Sequence, residues 1–262
     1  MIKKVVIAAA GQGTRMLEFS KERSKHLIEV NQRPFLAYLM DNLLLAGYTE
    51  IILVVGFKVE LMSGFAECYQ PPKGIKKDSF RIILVNQTDI LGPKEKEYGT
   101  ACPIKCVKDI VRNENFIYVY GDNLFSVEDL KLMNVDDKFC YIAGLKHEHP
   151  EKYGVLIKDG GDFLEKIIEK PSPAKISEIN LGRQGKFVEN LINAGVYKFT
   201  SDVFDKISKI EKSPRGEYEI TDAISLLSVE RKVKIKKIKD YWHDFGNPED
   251  IKKLENFLKE TK

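Results

Sequence analysis

The strongest constraint on the fold is a set of continuous apolar runs that alternate with helical patterns through the first half of the chain. "KKVVIAAA", "EIILVVG", "FRIILVN" and "FIYVYGD" carry almost no polar residue inside them. A strand with one solvated face would alternate polar and apolar residues, so these runs predict strands buried on both sides. Between them, "PFLAYLMDNLLLAG" reads as a helix, with Pro34 near its start and Gly47 at its C-terminal cap. "VELMSGFAECY" reads as a second helix, and a third is predicted from Gly99 through Val111. Strand, helix and strand in repetition give a mostly parallel sheet with helices on both faces. Ligands bind such sheets at the carboxyl ends of the strands. Gly11 to Arg15 and Gly121 to Asp122 each follow a strand at that end, so the two stretches can share one site.

The second half reads differently. "FCYIAGL", "YGVLI", "FLEKIIEKP" and "NAGVYKF" are strands without long helices between them. Helices follow at "SDVFDKISKI" and "EITDAISLLS", then a strand near "KVKIKKI" and a terminal helix from Pro248. The expectation is a single α/β domain over residues 1–262, a Rossmann-like, mostly parallel sheet extended by a mixed or antiparallel part. A soft boundary falls near residue 135, between halves 1–135 and 136–262. No internal repeat or low-complexity linker interrupts the chain.

Charge and cysteine usage narrow the partners. The 42 basic and 39 acidic residues leave a formal charge of +3, too little for a general nucleic-acid binder. Lysine clusters such as "KVKIKKIKD" and "PPKGIKKD" read as solvated faces or strand edges. Cys68, Cys102, Cys106 and Cys140 form no C-x-x-C pair, which suits a reduced chain. The first ten residues are too short in their apolar part for a signal peptide and run into Gly-Gln-Gly, so they read as a strand. No stretch approaches the roughly 20 apolar residues of a membrane span. The expectation is a cytoplasmic protein with no nucleic-acid or membrane partner, compatible with a homo-oligomer.

"VVIAAAGQGTRM" places two glycines directly after the first strand, where exposed backbone N–H groups can cradle an anion. A Walker loop would need a lysine after its last glycine, and none follows Gly13. A dinucleotide fingerprint would need a third glycine where Met16 stands. Gly-x-Gly alone also suits a structural turn. Arg15 and Lys25 tip the reading towards phosphate, since a guanidinium grips it in bidentate fashion and an ammonium acts as a compact point charge.

"AAAGQGTRM" followed by "SKHLIEV" resembles the signature of the sugar-1-phosphate nucleotidylyltransferases, L-A-A-G-x-G-T-R-L and then P-K-x-L. "YGTA", "YGDNLF", "YGV", "EKP", "NAGVYKF", "GEYEITD" and "WHDFG" occur in that family's order over nearly the whole chain. "GDNLF" and "EITD" are similar to the glucose-1-phosphate thymidylyltransferase branch, while "GTA" is similar to uridylyltransferases of N-acetylated sugars. The resemblance implies a nucleotide-binding half at 1–135 and a sugar-binding half at 136–262. It implies that Ala9, Ala10, Gly11, Gly13, Thr14, Arg15, Gln87, Gly99, Thr100 and Asp122 meet the nucleotide, with Arg15, Lys25 and Asp122 catalytic. Two departures stand out: Ser24 replaces the proline before the lysine, and Glu18 replaces another loop proline. "TDILGPKEKEY" also widens the gap between Gln87, a candidate base reader, and Gly99, so either a loop is inserted or Gly92 takes the place of Gly99.

Nucleotidyl transfer joins two anions, which makes charge neutralisation most of the catalytic task. Mg²⁺ suits it, because it takes one or two carboxylates and completes its shell with phosphate and water. Asp122, which could otherwise cap a following helix, and Asp244, which could otherwise be a turn or cap residue, map onto the family's paired metal ligands. His243 reads as a loop side chain rather than a ligand to so hard an ion. For the sugar phosphate the resemblance implies Glu169 and Lys170, which alone would be an exposed ion pair, with Asn193. Gly154 after Tyr153 would let backbone approach the sugar, Trp242 would wall the site, and Tyr197 would pack in the core. The leading expectation is a pyrimidine nucleoside triphosphate (dTTP or UTP) joined to a hexose 1-phosphate, with glucose 1-phosphate first. A non-catalytic binding relative, a cytidylyltransferase of a small alcohol phosphate and a nicotinamide-dependent oxidoreductase are the alternatives.

Overall fold

The computed structural model describes residues 1–11, 13, 15–16, 19, 23–181 and 189–260. Its centre is the predicted parallel sheet. The strands β1 (Lys4–Ala9), β4 (Glu50–Val55), β5 (Arg81–Asn86) and β6 (Phe116–Tyr120) lie in the order β6-β1-β4-β5, every neighbouring pair parallel. Val5, Ile7 and Ala9 face one apolar core and Val6 the other, so β1 is buried on both sides as its composition demands. The helices α1 (Phe35–Leu45) and α2 (Val59–Cys68) occupy the predicted stretches. Pro34 stands at the N-cap of α1, and Gly47, at φ 98°, ends the turn that follows it.

Two short antiparallel pairs were not legible beforehand: β2 (Glu29–Val30) with β3 (Arg33–Pro34), and β7 (Asn123–Phe125) with β13 (Trp242–Asp244). Asp244 therefore sits on a strand rather than on the free turn expected for it. The predicted helix from Gly99 to Val111 is two single turns, α4 (Cys102–Lys105) and α5 (Lys108–Val111), separated by Cys106 and Val107. It cannot begin at Gly99, because Gly99 has φ 131° and the 98–101 backbone bonds to Tyr218 instead. Between β5 and that loop the chain forms α3 (Gln87–Leu91), so "TDILGPKEKEY" is an insertion with structure of its own.

The second half extends the sheet as expected. The strands are β8 (Cys140–Lys146), β9 (Gly154–Lys158), β10 (Leu164–Glu169), β11 (Leu191–Phe199) and β12 (Val233–Ile238). β11 runs antiparallel beside β6, so the whole sheet reads β10-β9-β11-β6-β1-β4-β5, with β8 on β11 and β12 parallel on β8. β11 exchanges partners along its length: Leu191 and Ile192 pair with β9, while Val196 to Phe199 pair with β6. The register breaks between, at Asn193–Tyr197, where Gly195 takes φ 82°. A conformation with positive φ favours glycine, and a side chain there would strike Tyr120 and Asn123 at 2.7–2.8 Å.

The remaining helices are α6 (Val127–Met133), α7 (Pro173–Leu181), α8 (Asp202–Ile207), α9 (Ile220–Val229) and α10 (Pro248–Glu260). Of these α7 was not anticipated. The four cysteines are unpaired, three of them buried. Among the described residues no helix is long and apolar enough to cross a membrane.

Candidate active site

The carboxyl ends of β1, β5 and β6 open into a cavity of about 340 Å³, within the size range of small-molecule sites. Ala10, Gly11, Arg15 and Lys25 line one side of it, with Asp122 and Asp244 beside them. Gln87, Gly99 and Thr100 line the part next to β5, and Tyr153, Asn193 and Trp242 the part next to the second half. The chain thus brings most of the expected residues together. Thr14 lies outside the described residues, as does Glu18. Ala9 is a fully buried core residue beneath the loop.

The sharp turn of the glycine loop has a local cause. Gly13 has φ 68°, and any Cβ there would meet the Lys25 stem at 2.7–3.0 Å. What comes close to this backbone is therefore the catalytic candidate Lys25 itself. Gly11, by contrast, faces open space. Lys25 rides a single helical turn, Lys25–Leu27, whose preceding residue Ser24 is buried. The Ser24 hydroxyl, which stands where the resembled signature has a proline, lies 2.8 Å from His26 Nδ1 and ties this turn by hydrogen bonding. Burial and the adjacent Lys25 charge push the His26 ring down to about 3, so it remains neutral. A side chain at Gly121 would strike that ring and the Ala8 carbonyl, which seats the turn against β6.

Asp122 follows β6 and pairs with Lys25 in a largely buried ion pair. Burial is the largest influence and opposes its charge, but the charge and hydrogen bond of Lys25, together with smaller contributions from His26 and the backbone, hold the carboxyl below the usual range. It does not cap a helix: Ser126 caps α6 by accepting from the Asp129 N–H at 3.0 Å. Asp244 comes alongside because β13 pairs with β7, Asp244 opposite Asn123, while the Phe245 N–H donates to the Asp122 carbonyl at 2.8 Å. Nor is Asp244 a cap, since Asp250 accepts the Gly246 and Asn247 N–H groups. Burial first, then the charge of Asp122, pushes Asp244 up to about 6 against the pull of Arg15 and Lys25. Gly246 leaves room for both neighbours, since a Cβ there would lie 3.2 Å from Arg15 Nη2 and 3.4 Å from Asp244 Oδ1. Two carboxylates that repel each other across a cavity, with two cationic side chains beside them, fit a hard divalent cation shared with phosphate oxygens. Among the described residues no group of three or more His, Cys, Asp and Glu side chains could hold a metal by themselves.

His243 is not on a loop: it alternates with Asp244 on β13 and faces α10, its ring 4.3 Å from that of Phe257. Its Nε2 is buried without a partner, away from the cavity lining.

On the β5 side, Gln87 is buried and its Oε1 has no partner, a free acceptor in the cavity wall. Gly99, not Gly92, reaches the cavity; Gly92 ends α3 with its N–H on the Thr88 carbonyl. A Cβ on Gly99 would sit 2.3 Å from the Tyr218 carbonyl oxygen. Gly99→Ala is therefore expected to lower stability by at least about 2 kcal/mol, because the obstacle is backbone and φ is positive. An unchanged denaturant midpoint would contradict this reading of the loop.

The sugar-side expectations divide. Trp242 walls the cavity, its Nε1 donating to the Ala194 carbonyl at 3.1 Å and its ring edge-on to Tyr153. Asn193 lines the cavity but is engaged twice, donating to the Tyr197 hydroxyl and accepting from the Gly195 N–H. Tyr197 is core, as expected. Glu169 and Lys170 stand outside the cavity lining, next to Tyr153, whose carbonyl accepts the Lys170 N–H at 3.0 Å. Burial raises the Glu169 carboxyl against the pull of Arg215. Gly154 does not offer backbone to the cavity: a Cβ there would meet Glu169 Oε1 at 2.9 Å, so this glycine makes room for the glutamate.

Several lining residues were not singled out from sequence, among them Asn123, whose buried Oδ1 has no partner, and Glu217. Both lie inside motifs already quoted, "GDNLF" and "GEYEITD"; membership in those motifs was the available signal.

Residues 4–261 match the profile of a family described as nucleotidyl transferase. The chain belongs to that family. It is 32% identical over 248 residues to a bifunctional sugar-1-phosphate nucleotidylyltransferase/acetyltransferase of Sulfurisphaera tokodaii, covering 95% of this chain and 53% of that protein. It thus spans about half the length of such bifunctional relatives. It is 27% identical over 263 residues to the UTP–glucose-1-phosphate uridylyltransferase AglF of Haloferax volcanii, covering 98% and 97% of the two chains. Its fold is similar to that of a UDP-glucose pyrophosphorylase complexed with UDP-glucose, with a TM-score of 0.78 at 20% identity and full coverage of both chains.

Proposed function

We propose that this family member transfers a nucleotidyl group from a pyrimidine nucleoside triphosphate, UTP or dTTP, to a hexose 1-phosphate, with glucose 1-phosphate the preferred acceptor. A phosphate oxygen of the sugar attacks the α-phosphorus, the bond from that phosphorus to the β-phosphate oxygen breaks, and pyrophosphate leaves. The observation that carries this reading is the convergence of Lys25, Arg15, Asp122 and Asp244 around the glycine loop in one cavity. Arg15 and Lys25 would neutralise the triphosphate, and the Gly11 backbone would face its phosphates. Asp122 and Asp244 would hold Mg²⁺, which when bound offsets charge on the phosphates and orients them. The free acceptor of Gln87 suits the N–H of a pyrimidine ring.

Asp122 has two partners to choose between. Without substrate its charge is matched by Lys25, so a second cation at Asp122 would leave the ammonium free for phosphate. Tyr153 and Trp242 offer apolar faces to a sugar ring, and Asn193 a polar edge. An N-acetylated hexose 1-phosphate is the second reading, favoured by Gly99, Thr100 and Ala101 in the pattern "GTA". The experiment is pyrophosphate release over a grid of four triphosphates against glucose, galactose and N-acetylglucosamine 1-phosphates. Release with UTP or dTTP and glucose 1-phosphate supports the reading; release only with CTP, or with no sugar phosphate, overturns it.

A further inference from the structure

Asn193 and Tyr197 lie four residues apart on β11, where a regular strand would separate them by roughly 13 Å. They touch because the strand breaks register between them, at Gly195 with φ 82°. Asn193 Nδ2 donates to the Tyr197 hydroxyl at 2.8 Å, and that hydroxyl lies 3.2 Å from the hydroxyl of Tyr120 on β6. Tyr197 is fully buried and stands behind the cavity, which Asn193 and Tyr120 line. Its ring is stacked on Phe199 at 5.5 Å and meets Tyr120 edge-on at 5.9 Å, so the hydroxyl is held in place by packing.

The direction of each hydrogen bond in this chain follows by elimination. The Gly195 N–H, 3.2 Å from the Asn193 side-chain oxygen, can only donate. The amide oxygen therefore faces Gly195, and the amide nitrogen, also only a donor, faces Tyr197. The Tyr197 oxygen accepts from it and gives its own proton to Tyr120. A turned amide would set its nitrogen against the Gly195 N–H, donor against donor, and forfeit that bond. Among the described residues nothing else bonds this amide, so it keeps one N–H and one oxygen lone pair for the cavity. A donor and an acceptor side by side match a free hydroxyl group, which both accepts and donates.

We infer that Tyr197 is a positioning residue: its hydroxyl sets the orientation of the Asn193 amide and so makes Asn193 a reader of one free hydroxyl on the hexose. This rests on the nucleotidyl-transfer reading above, in which Asn193 meets the sugar.

The test measures steady-state kinetics with UTP or dTTP against glucose 1-phosphate and the deoxy analogues that each lack one ring hydroxyl. The proteins are wild type, Tyr197→Phe, Asn193→Ala, their double variant and Tyr118→Phe. Tyr197→Phe keeps the ring and removes only the hydroxyl. It is expected to raise the KM for glucose 1-phosphate about tenfold, the scale of one buried hydrogen bond, with kcat and the triphosphate KM within about twofold of wild type. Wild type should disfavour the analogue lacking the hydroxyl that Asn193 meets. Tyr197→Phe should lose most of that preference and keep those at the other hydroxyls. The double variant should be little worse than Asn193→Ala alone, because Tyr197 acts through that amide. Tyr118→Phe removes a hydroxyl from the same aromatic cluster, but one that donates to the Thr100 carbonyl at 2.6 Å, so it should leave the preference among the analogues as in wild type. Should Tyr197→Phe melt far below wild type, Tyr120→Phe, which removes the acceptor of the Tyr197 proton, should raise the same KM by a smaller factor. Equal rises in both KM values, preferences lost at every hydroxyl together, a wild type indifferent to all the analogues, or losses that multiply in the double variant would overturn the inference while leaving the function intact. A wild-type protein inactive with every sugar phosphate would overturn both.

Discussion

Lys25→Ala and Arg15→Ala are each expected to lower turnover by two to three orders of magnitude. Lost stabilisation of charge developing on the breaking triphosphate should cost roughly 3–4 kcal/mol, by analogy with a lost oxyanion donor. The two variants should differ in stability. Arg15 is exposed, so its loss should leave the melting temperature nearly unchanged. Lys25 is mostly buried against Asp122, so its loss strands a carboxylate and should lower the melting temperature as well. Turnover with UTP or dTTP and glucose 1-phosphate, measured beside a melt of each variant, separates the effects. Near-wild-type rates in both would sink the assignment of the glycine loop.

Asp122→Asn and Asp244→Asn should each abolish most activity yet move stability in opposite directions. The folded Asp122 carboxyl is held below 3.8 by Lys25, so its charge contributes stability above that pH, lost as pH falls through the folded value. Asp244 has the reverse sign. Its folded value of about 6 exceeds the unfolded 3.8, so the protein binds this proton more tightly than the unfolded chain does. On its account stability falls as pH rises between those values and stays lower above them. At pH 7, without added metal, Asp244→Asn should therefore raise stability by about 2–3 kcal/mol, and Asp122→Asn should lower it. If both carboxylates serve one Mg²⁺, the double variant should lose little activity beyond the worse single one. Losses that multiply, or two variants that shift the melt in the same direction, would break this account.

The parallel half was legible because strands buried on both faces need continuous apolar runs, and few other structures use them. β1, β4, β5 and β6 follow directly from that rule. The β7–β13 pairing was not legible: three residues on each side hold no periodicity, and their partnership spans more than a hundred positions. That pairing brings Asp244 to Asp122, so only the family pattern could join them from sequence. Gln87 and Gly99 were legible as types but not in spacing, because α3 absorbs the extra residues. Gly154 had a second reading that sequence could not separate, since a glycine at the start of a strand can admit a neighbouring side chain as readily as a ligand, and here it leaves room for Glu169.

The central claim is transfer of an intact nucleotidyl group to a sugar phosphate at the Asp122–Asp244 cavity. Phosphorus-31 NMR of the purified protein with UTP or dTTP, glucose 1-phosphate and Mg²⁺ tests it most directly. The account predicts equal growth of nucleotide-sugar diphosphate and pyrophosphate signals, abolished by chelator and by either Asp→Asn change. Orthophosphate release without nucleotide sugar, or nucleotide-sugar formation that persists in both Asp→Asn variants, would contradict it.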